Sequence, residues 1–377
     1  CEEFKQGSQI VDGHCVEHPT LTLVPTKERN HFFRLSAYRD RLLELITTGG
    51  FAVEPEIRRN EVLRLLEGGL QDISISRQRQ AWGIPYPGDA QQTVYVWFDA
   101  LINYLSATGF PDTSFERLWP AEVHVIGKGI TRFHCVIWPA MLMSAGVPLP
   151  HSILGHGWVH FQGEKLSKSL GNIVNPLDVA ERWGADSLRY YLLKEVPLSR
   201  DGDFSWELFI QRYNSDLAND WGNLFTRTIS MVHRYRAGKL AETAAGSELG
   251  PVIADALRAY QAAVDRYELE GGIEAAWTII RRANRLVEEQ APWNLAKDPA
   301  RAADLDRLLG ALSVALQHVA LLLYPIMPAK AKTVWDTLRL TPALEAARFP
   351  APGALLAPPP TGTALGESQP LFPRIER

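Results

Sequence analysis

Cysteine is scarce. Three thiols in 377 residues exclude a disulfide-stapled scaffold and fit a reducing cytoplasmic setting. Charge of either sign is not in excess: 39 Lys and Arg face 43 Asp and Glu, for a net of −4. No basic tail therefore advertises nucleic acid, and any RNA contact must come from local patches that net charge does not report. No apolar run reaches the roughly 18–20 residues of a membrane span, so no membrane partner is expected. The first residues do not read as a signal peptide. What is present is an apolar content of 46%, enough for sizeable cores. The length exceeds one typical domain, and two or three units are expected. The chain opens on Cys1 in the middle of a motif, which reads as a fragment missing its N-terminal part.

Residues 163–172 read Gly-Glu-Lys-Leu-Ser-Lys-Ser-Leu-Gly-Asn. Lys165 and Lys168 lie three apart, with Ser167 and Ser169 beside them and a glycine near each end. The segment reads as a loop. Ammonium groups, hydroxyls and free backbone N–H groups suit a polyphosphate whose charge grows during a reaction. Taken alone, the same pattern also fits a solvated basic turn.

Upstream, the apolar patterning alternates between strand and helix. Residues 93–100 read as a buried strand and 101–108 as a helix. Residues 122–129 read as a strand ending in the turn Gly127-Lys128-Gly129. A helix over 130–146, bent at Pro139, leads to a third strand over 152–161. This order is that of a parallel sheet with right-handed crossovers, whose ligands gather at the carboxyl ends of the strands. Before it, 26–35 and 72–77 read as strands, and 38–48 and 55–66 as helices. The first of these helices stops at Gly49-Gly50.

Ile130, His134 and Trp138 recur at i, i+4 and i+8, on one helix face. Trp97 and Tyr104 arrive from the neighbouring strand end. Together they form either ordinary core or an aromatic cleft with a few polar tips, suited to a soft thioether.

From about Trp206 to Leu338 the pattern is wholly helical, with Leu305, Leu308, Leu309, Leu312, Leu316, Val319, Leu322 and Leu323 at bundle spacing. Gly271-Gly272 and Pro299 read as breaks between helices. Asn223 and Arg227 lie i, i+4 on one face and can hydrogen-bond exposed base edges, and Trp293 can stack on a splayed base. A capping Asn, a surface Arg and a core Trp would look the same. The Pro- and Ala-rich tail beyond residue 340 reads as an extended strap or a partly loose segment. Near the start, Cys15 and His18 have the two-residue gap of a zinc-knuckle pair. Cys1 supplies a third ligand, and two ordinary thiols with a surface His are the other reading.

The stretch 163–172 resembles the lysine-rich loop of class I aminoacyl-tRNA synthetases, with Leu166 where the family has Met. Together with Trp82-Gly83-Ile84-Pro85 and residues 214–227 and 290–293, it resembles the methionyl branch of that family. The resemblance implies a partial Rossmann-like α/β parallel-sheet catalytic domain followed by an all-α anticodon-binding helix bundle. It implies ATP-dependent activation of methionine and transfer to the 3′ end of tRNA(Met), with magnesium accompanying ATP. In the roles it carries over, Lys165, Ser167 and Lys168 are catalytic, and Gly127 joins them in binding ATP. Trp97, Ala100, Tyr104, Ile130, His134 and Trp138 line the methionine pocket, and Asn223, Arg227 and Trp293 read the anticodon. Cys1, Cys15 and His18 are what remains of a structural zinc site whose fourth ligand would precede Cys1.

The implied domains are 1–25, the knuckle remnant, and 26–84, the rest of the connective region. Then come 85–162, the second half of the catalytic domain, and 163–205, the lysine loop with the stem-contact region. The bundle covers 206–340 and the tail 341–377. Two departures stand out. The family reads Gly-Lys-Asp where this chain has Gly127-Lys128-Gly129, and its His-x-Gly-His motif is not found, so the chain by itself is expected to be inactive. A synthetase for isoleucine, valine or leucine is the nearest alternative, but its editing insertion has no room in the about 80 residues before the Trp82 turn. A noncatalytic tRNA-binding protein is the other. Oligomeric state is not legible.

Overall fold

The computed structural model describes residues 10–15, 18–23, 27–78, 82–161, 163–165, 174–241, 248–351 and 353–376, with backbone only for 11, 15, 18–22, 164 and 165. The chain divides into two compact units. One comprises Cys1–His124 and Ile130–Ile153, the other Val125–Gly129 and Leu154–Arg377.

The first unit starts with an antiparallel ribbon of β1 (Ile10–Val11), β2 (His14–Cys15) and β3 (His18–Thr22). The strand expected over 26–35 shrinks to β4 (Phe32–Phe33). Helix α1 (Arg39–Thr48) stops where the sequence says it should, because Gly49 takes φ 80°, open to glycine at no steric cost. After β5 (Ala52–Glu54) comes α2 (Glu56–Glu67). The strand expected over 72–77 breaks at Ile75 into β6 (Ile73–Ser74), which pairs with β4, and β7 (Ser76–Gln78). Strands β8 (Pro85–Tyr86) and β9 (Asp89–Val94) complete an antiparallel sheet of order β7–β9–β8.

Here the sequence reading is corrected. The chain is not a strand over 93–100: β9 ends at Val94, and α3 (Val96–Ser106) begins at once. The run Tyr-Val-Trp-Phe has high strand propensity, but Leu101 and Leu105, 2% and 5% exposed, reach the core only at helical period. Trp97, Ala100 and Tyr104 therefore share a helix face, and none comes from a strand end.

The parallel sheet is built from β10 (Val123–Gly127), β11 (Ser152–His156) and the short β5, in the order β10–β11–β5. The division between the units falls inside β10 and β11. The connection between those strands holds a π-turn over Phe133–Ile137 and then α4 (Trp138–Ala145), closed by Gly146 at φ 69°. Pro139 has no N–H for the carbonyl one turn back, so the ladder loosens just before it. The expected bend is this π-turn.

The third strand expected over 152–161 is two strands in two sheets. At Gly157 a Cβ would collide with the Arg200 carbonyl, so only glycine lets the chain turn out of β11 there. Strand β12 (Val159–Phe161) then lies in a ribbon of order β13–β12–β14, with β13 (Glu164–Lys165) antiparallel and β14 (Gly202–Phe204) parallel to it. Residues 201–205 thus contain a strand.

In the second unit, α5 (Pro176–Trp183) is capped by Asn175 and followed by α6 (Ala185–Glu195). Beyond β14, Ser205 caps α7 (Trp206–Arg212) through the Leu208 N–H at 3.2 Å. The bundle continues through α8 (Asn223–Arg236), α9 (Gly250–Asp265), α10 (Leu269–Gln290), α11 (Pro292–Leu295), α12 (Ala302–Leu323) and α13 (Pro328–Thr337). Gly271 and Gly272 do not separate helices. They sit in the first turn of α10, where a Cβ on Gly272 would lie 3.4 Å from the Tyr260 ring, so they let α9 and α10 pack closely.

Helix α12 is buried nearly all round. With its 3-10 lead-in, Pro299–Leu323 contains an 18-residue window of mean hydropathy 1.4, which by length and composition would cross a membrane. Yet 89% of that window is buried inside the bundle, as for a core helix. The tail is a strap. His318 Nε2 accepts the Leu356 N–H at 3.0 Å, Phe372 packs on Tyr213 and Trp221, and Asn214 holds both backbone groups of Ile375 at 2.9 Å.

Candidate functional site

The six residues expected to line a pocket all belong to the first unit. Ala100 lies about one helical turn from both Trp97 and Tyr104 on α3. From the other side, the π-turn packs more residues per turn than an α-helix and offsets the drift that i+4 spacing accumulates. Ile130, His134 and Trp138 consequently stay on one face. Trp97, Ala100, Tyr104 and Ile130 are half-buried, whereas His134 and Trp138 are 3% and 1% exposed. The two groups form a rim and a floor.

A single polar thread runs through this apolar cluster. His134 Nδ1 lies 3.0 Å from the Ile130 carbonyl and must donate to it. Nε2 is then an acceptor, and the Tyr104 hydroxyl donates to it at 2.8 Å. Burial lowers the His134 pKa and raises that of Tyr104, so both stay neutral. The Tyr104 oxygen keeps its lone pairs for a further contact.

Three members of the cluster were missed by sequence reasoning. Phe133 stacks on Trp97 with ring centroids 4.4 Å apart. His124 lies 4.4 Å from the Tyr104 ring, and Trp119 meets Trp138 edge-on at 6.1 Å. Burial, with His134 nearby, pushes the His124 pKa down to about 4. Polarity along β10 hid His124, because His124 and Ile126 are buried while the apolar Val125 is exposed. Phe133 gave no signal, since its direction depends on the π-turn.

The turn after β10 belongs to the second unit. Gly127 lies beside His156 of β11, whose ring a Cβ on Gly127 would meet at 3.8 Å. Lys128 Nζ is 2.7 Å from Asp201 and lies over the Trp158 ring at 4.4 Å from its centroid. At Gly129, an added Cβ would make only ordinary contact with Trp158, from 3.6 Å, so space does not demand glycine there. Lys165 is described as backbone in β13, opposite His160. Ser167 and Lys168 lie outside the described residues.

On the bundle, Asn223 is exposed at the start of α8, and Arg227 one turn later bonds Glu288 of α10 at 2.8 Å. Trp293, in α11 just past the end of α10, is 41% exposed. Its exposure removes the core reading of that side chain. Cys1 lies outside the described residues, as do the side chains of Cys15 and His18. The backbone sets Cys15 opposite His18 across β2 and β3. Among the described residues no group of three or more His, Cys, Asp or Glu is placed to hold a metal.

A protein-family profile described as "tRNA synthetases class I (M)" matches residues 1–229. The methionine–tRNA ligase of Caldanaerobacter subterraneus is 40% identical over all of this chain, and that of Brucella suis is 43% identical over 92% of it. The chain belongs to the class I methionyl-tRNA synthetases. It spans 59% of the Caldanaerobacter relative and 68% of the Brucella one. A crystal structure of the Mycobacterium tuberculosis methionyl-tRNA synthetase bound by methionyl-adenylate matches with a TM-score of 0.88 and 41% identity, over 97% of this chain and 73% of that one. Membership in the methionyl branch sets aside the isoleucine, valine and leucine alternatives.

Proposed function

We propose that this chain supplies methionine selection, ATP contacts and tRNA recognition to a methionine–tRNA ligase. In that reaction the methionine carboxylate attacks the α-phosphate of ATP, giving methionyl-adenylate and pyrophosphate. A ribose hydroxyl at the acceptor end of tRNA(Met) then attacks the adenylate carbonyl, and AMP leaves. Such catalysis is positioning and charge stabilisation.

The observation that carries the reading is the polar thread from Tyr104 through His134 to Ile130 within aromatic walls. Trp97, Ala100 and Ile130 offer apolar surface to a thioether above the buried floor of Trp138, and the Tyr104 oxygen offers one fixed polar point. Methionine is flexible and polarisable enough to fill such a space, whereas branched leucine and isoleucine are not. Gly127, Lys165, Ser167 and Lys168 are assigned to ATP, which enters with magnesium, and the lysines meet the departing pyrophosphate. Asn223, Arg227 and Trp293 are assigned to the anticodon. Cys1, Cys15 and His18 would hold a structural zinc, a role that the opposition of Cys15 and His18 across a hairpin fits. The setting is cytoplasmic. These 377 residues contain no His-x-Gly-His, so activation is not expected of them alone.

Thermal shift with methionine, leucine and isoleucine tests the pocket. Methionine should raise the melting temperature of the first unit, and Tyr104→Phe should weaken methionine about fivefold, the worth of one hydrogen bond. An equal shift with leucine would overturn the reading. In a polypeptide that also carries a His-x-Gly-His segment, Lys168→Ala should slow ATP–pyrophosphate exchange far more than it weakens methionine binding. An unchanged exchange rate would remove Lys168 from its role.

A further inference from the structure

Residues 201–205 read Asp-Gly-Asp-Phe-Ser, at the end of the expected stem-contact region. In the structure their strand, β14, is the third member of the ribbon that carries Lys165. His160 of β12 stands opposite Lys165 on one side and Asp203 on the other. Asp203 Oδ1 accepts the Gly163 N–H at 2.9 Å, in the turn where β12 passes into β13. Gly163 sits there at φ 81°. Two residues earlier, Asp201 receives Lys128 Nζ on one oxygen at 2.7 Å and the Trp158 N–H on the other at 2.9 Å. The Lys128 ammonium and that N–H hold the Asp201 carboxyl below its ordinary range, so it stays ionised.

The strand between these two aspartates has little slack. A Cβ on Gly202 would lie 2.7 Å from the Val196 Cα, and the Gly202 N–H bonds the Trp158 carbonyl at 3.0 Å. The Asp203 carbonyl accepts the Tyr191 hydroxyl at 3.2 Å, which ties β14 to α6. Asp203 of β14 and Asp201 just before it therefore grip the turn preceding Lys165 and the turn holding Lys128.

We propose that Asp203 is a positioning residue for the ATP phosphates: through Gly163 it fixes the backbone of Lys165 where β12 turns into β13. The inference rests on the reading that Lys165 meets ATP. A lysine meets a phosphate chain best when its backbone is already held, and a loosened ribbon spends binding energy on ordering it. The adenosine half of the nucleotide does not depend on that turn.

The test titrates the 377-residue chain with magnesium ATP and separately with adenosine, by calorimetry. The parent should bind ATP more tightly than adenosine. Asp203→Ala should weaken ATP about fivefold, as for one lost hydrogen bond, and leave adenosine unchanged. Asp203→Asn keeps an acceptor oxygen and should restore ATP. A parent with no preference for ATP would overturn the phosphate reading itself. A parent with the preference, together with an Asp203→Ala variant that retains it or an Asp203→Asn variant equally impaired, would overturn the role of Asp203 alone. Should Asp203→Ala fail to fold, amide exchange at residues 163–165 in Asp203→Ser decides. Faster exchange there, with the bundle unaltered, supports the role, and unaltered exchange overturns it.

Discussion

Trp138 and Trp293 are the same side chain in two environments. Trp138 is 1% exposed, walled by Trp119 and Tyr104 in the first unit. Trp293 is 41% exposed on a one-turn helix of the second. The first region packs around a buried floor, and its Tyr104 and His134 stay neutral. The second offers an aromatic plane and a guanidinium on a rigid Leu-rich scaffold. A pocket that separates small apolar side chains needs fixed walls, because apolar discrimination is limited. A surface that receives splayed bases needs open faces.

Mutating the two tryptophans should separate these roles most sharply. Trp138→Ala leaves a large void and should cost about 3–5 kcal/mol of unfolding free energy, read by denaturant titration of the first unit. A cost below about 1 kcal/mol would mean that the cluster is loosely packed.

Acid should test the first region next. His124 has its folded pKa pushed from 6.5 down to about 4, and His134 is lowered too. In that window the unfolded chain binds protons that the folded chain refuses, so stability rises with pH. It should be full above pH 6.5 and decline as pH falls toward about 4. His124→Leu should flatten the decline in melting temperature of the first unit. An equally steep decline in that variant would place the responsible group elsewhere.

Trp293→Ala should do the converse of Trp138→Ala. Loss of stacking should weaken tRNA(Met) by about 1–3 kcal/mol in a filter-binding or fluorescence titration, with stability changed by less than about 0.5 kcal/mol. Unchanged tRNA affinity would remove Trp293 from the reading surface. The smallest stability effect is expected for Arg227→Ala. Its ion pair with Glu288 has side-chain exposures of 31% and 62%, so its loss should cost at most a few tenths of a kcal/mol. If Arg227 meets a phosphate, the slope of log affinity against log salt should fall by about one. A base contact would leave that slope nearly unaltered.

Helical period was legible wherever a helix buries one stripe. Gly49 ended α1, and the leucines of α12 marked the core, because a 3.6-residue repeat and a left-handed glycine are local properties. Strand identity was less legible. Residues 93–100 and 152–161 were each read as one strand. In the first, two leucines at helical spacing outweigh strand propensity, and in the second, contact at Gly157 ends β11. Of the residues expected to line a pocket, Tyr104, Ile130, His134 and Trp138 touch one another, but Trp97 was assigned to the wrong element. Phe133, His124 and Asp201 stayed invisible because each acts through a neighbour far along the chain.

The sequence by itself determined the chemistry on offer: a lysine-rich loop, an aromatic set with one histidine and one tyrosine, and a helical bundle with a few polar residues on one face. Those are choices of side chain and local period, which need no knowledge of neighbours. Only the tertiary structure decided which nitrogen of His134 accepts the Tyr104 proton, which tryptophan is floor and which is open, and that Asp201 and Asp203 hold two distant turns. Such facts depend on contacts between residues tens of positions apart, and burial and hydrogen-bond direction exist only once those contacts close.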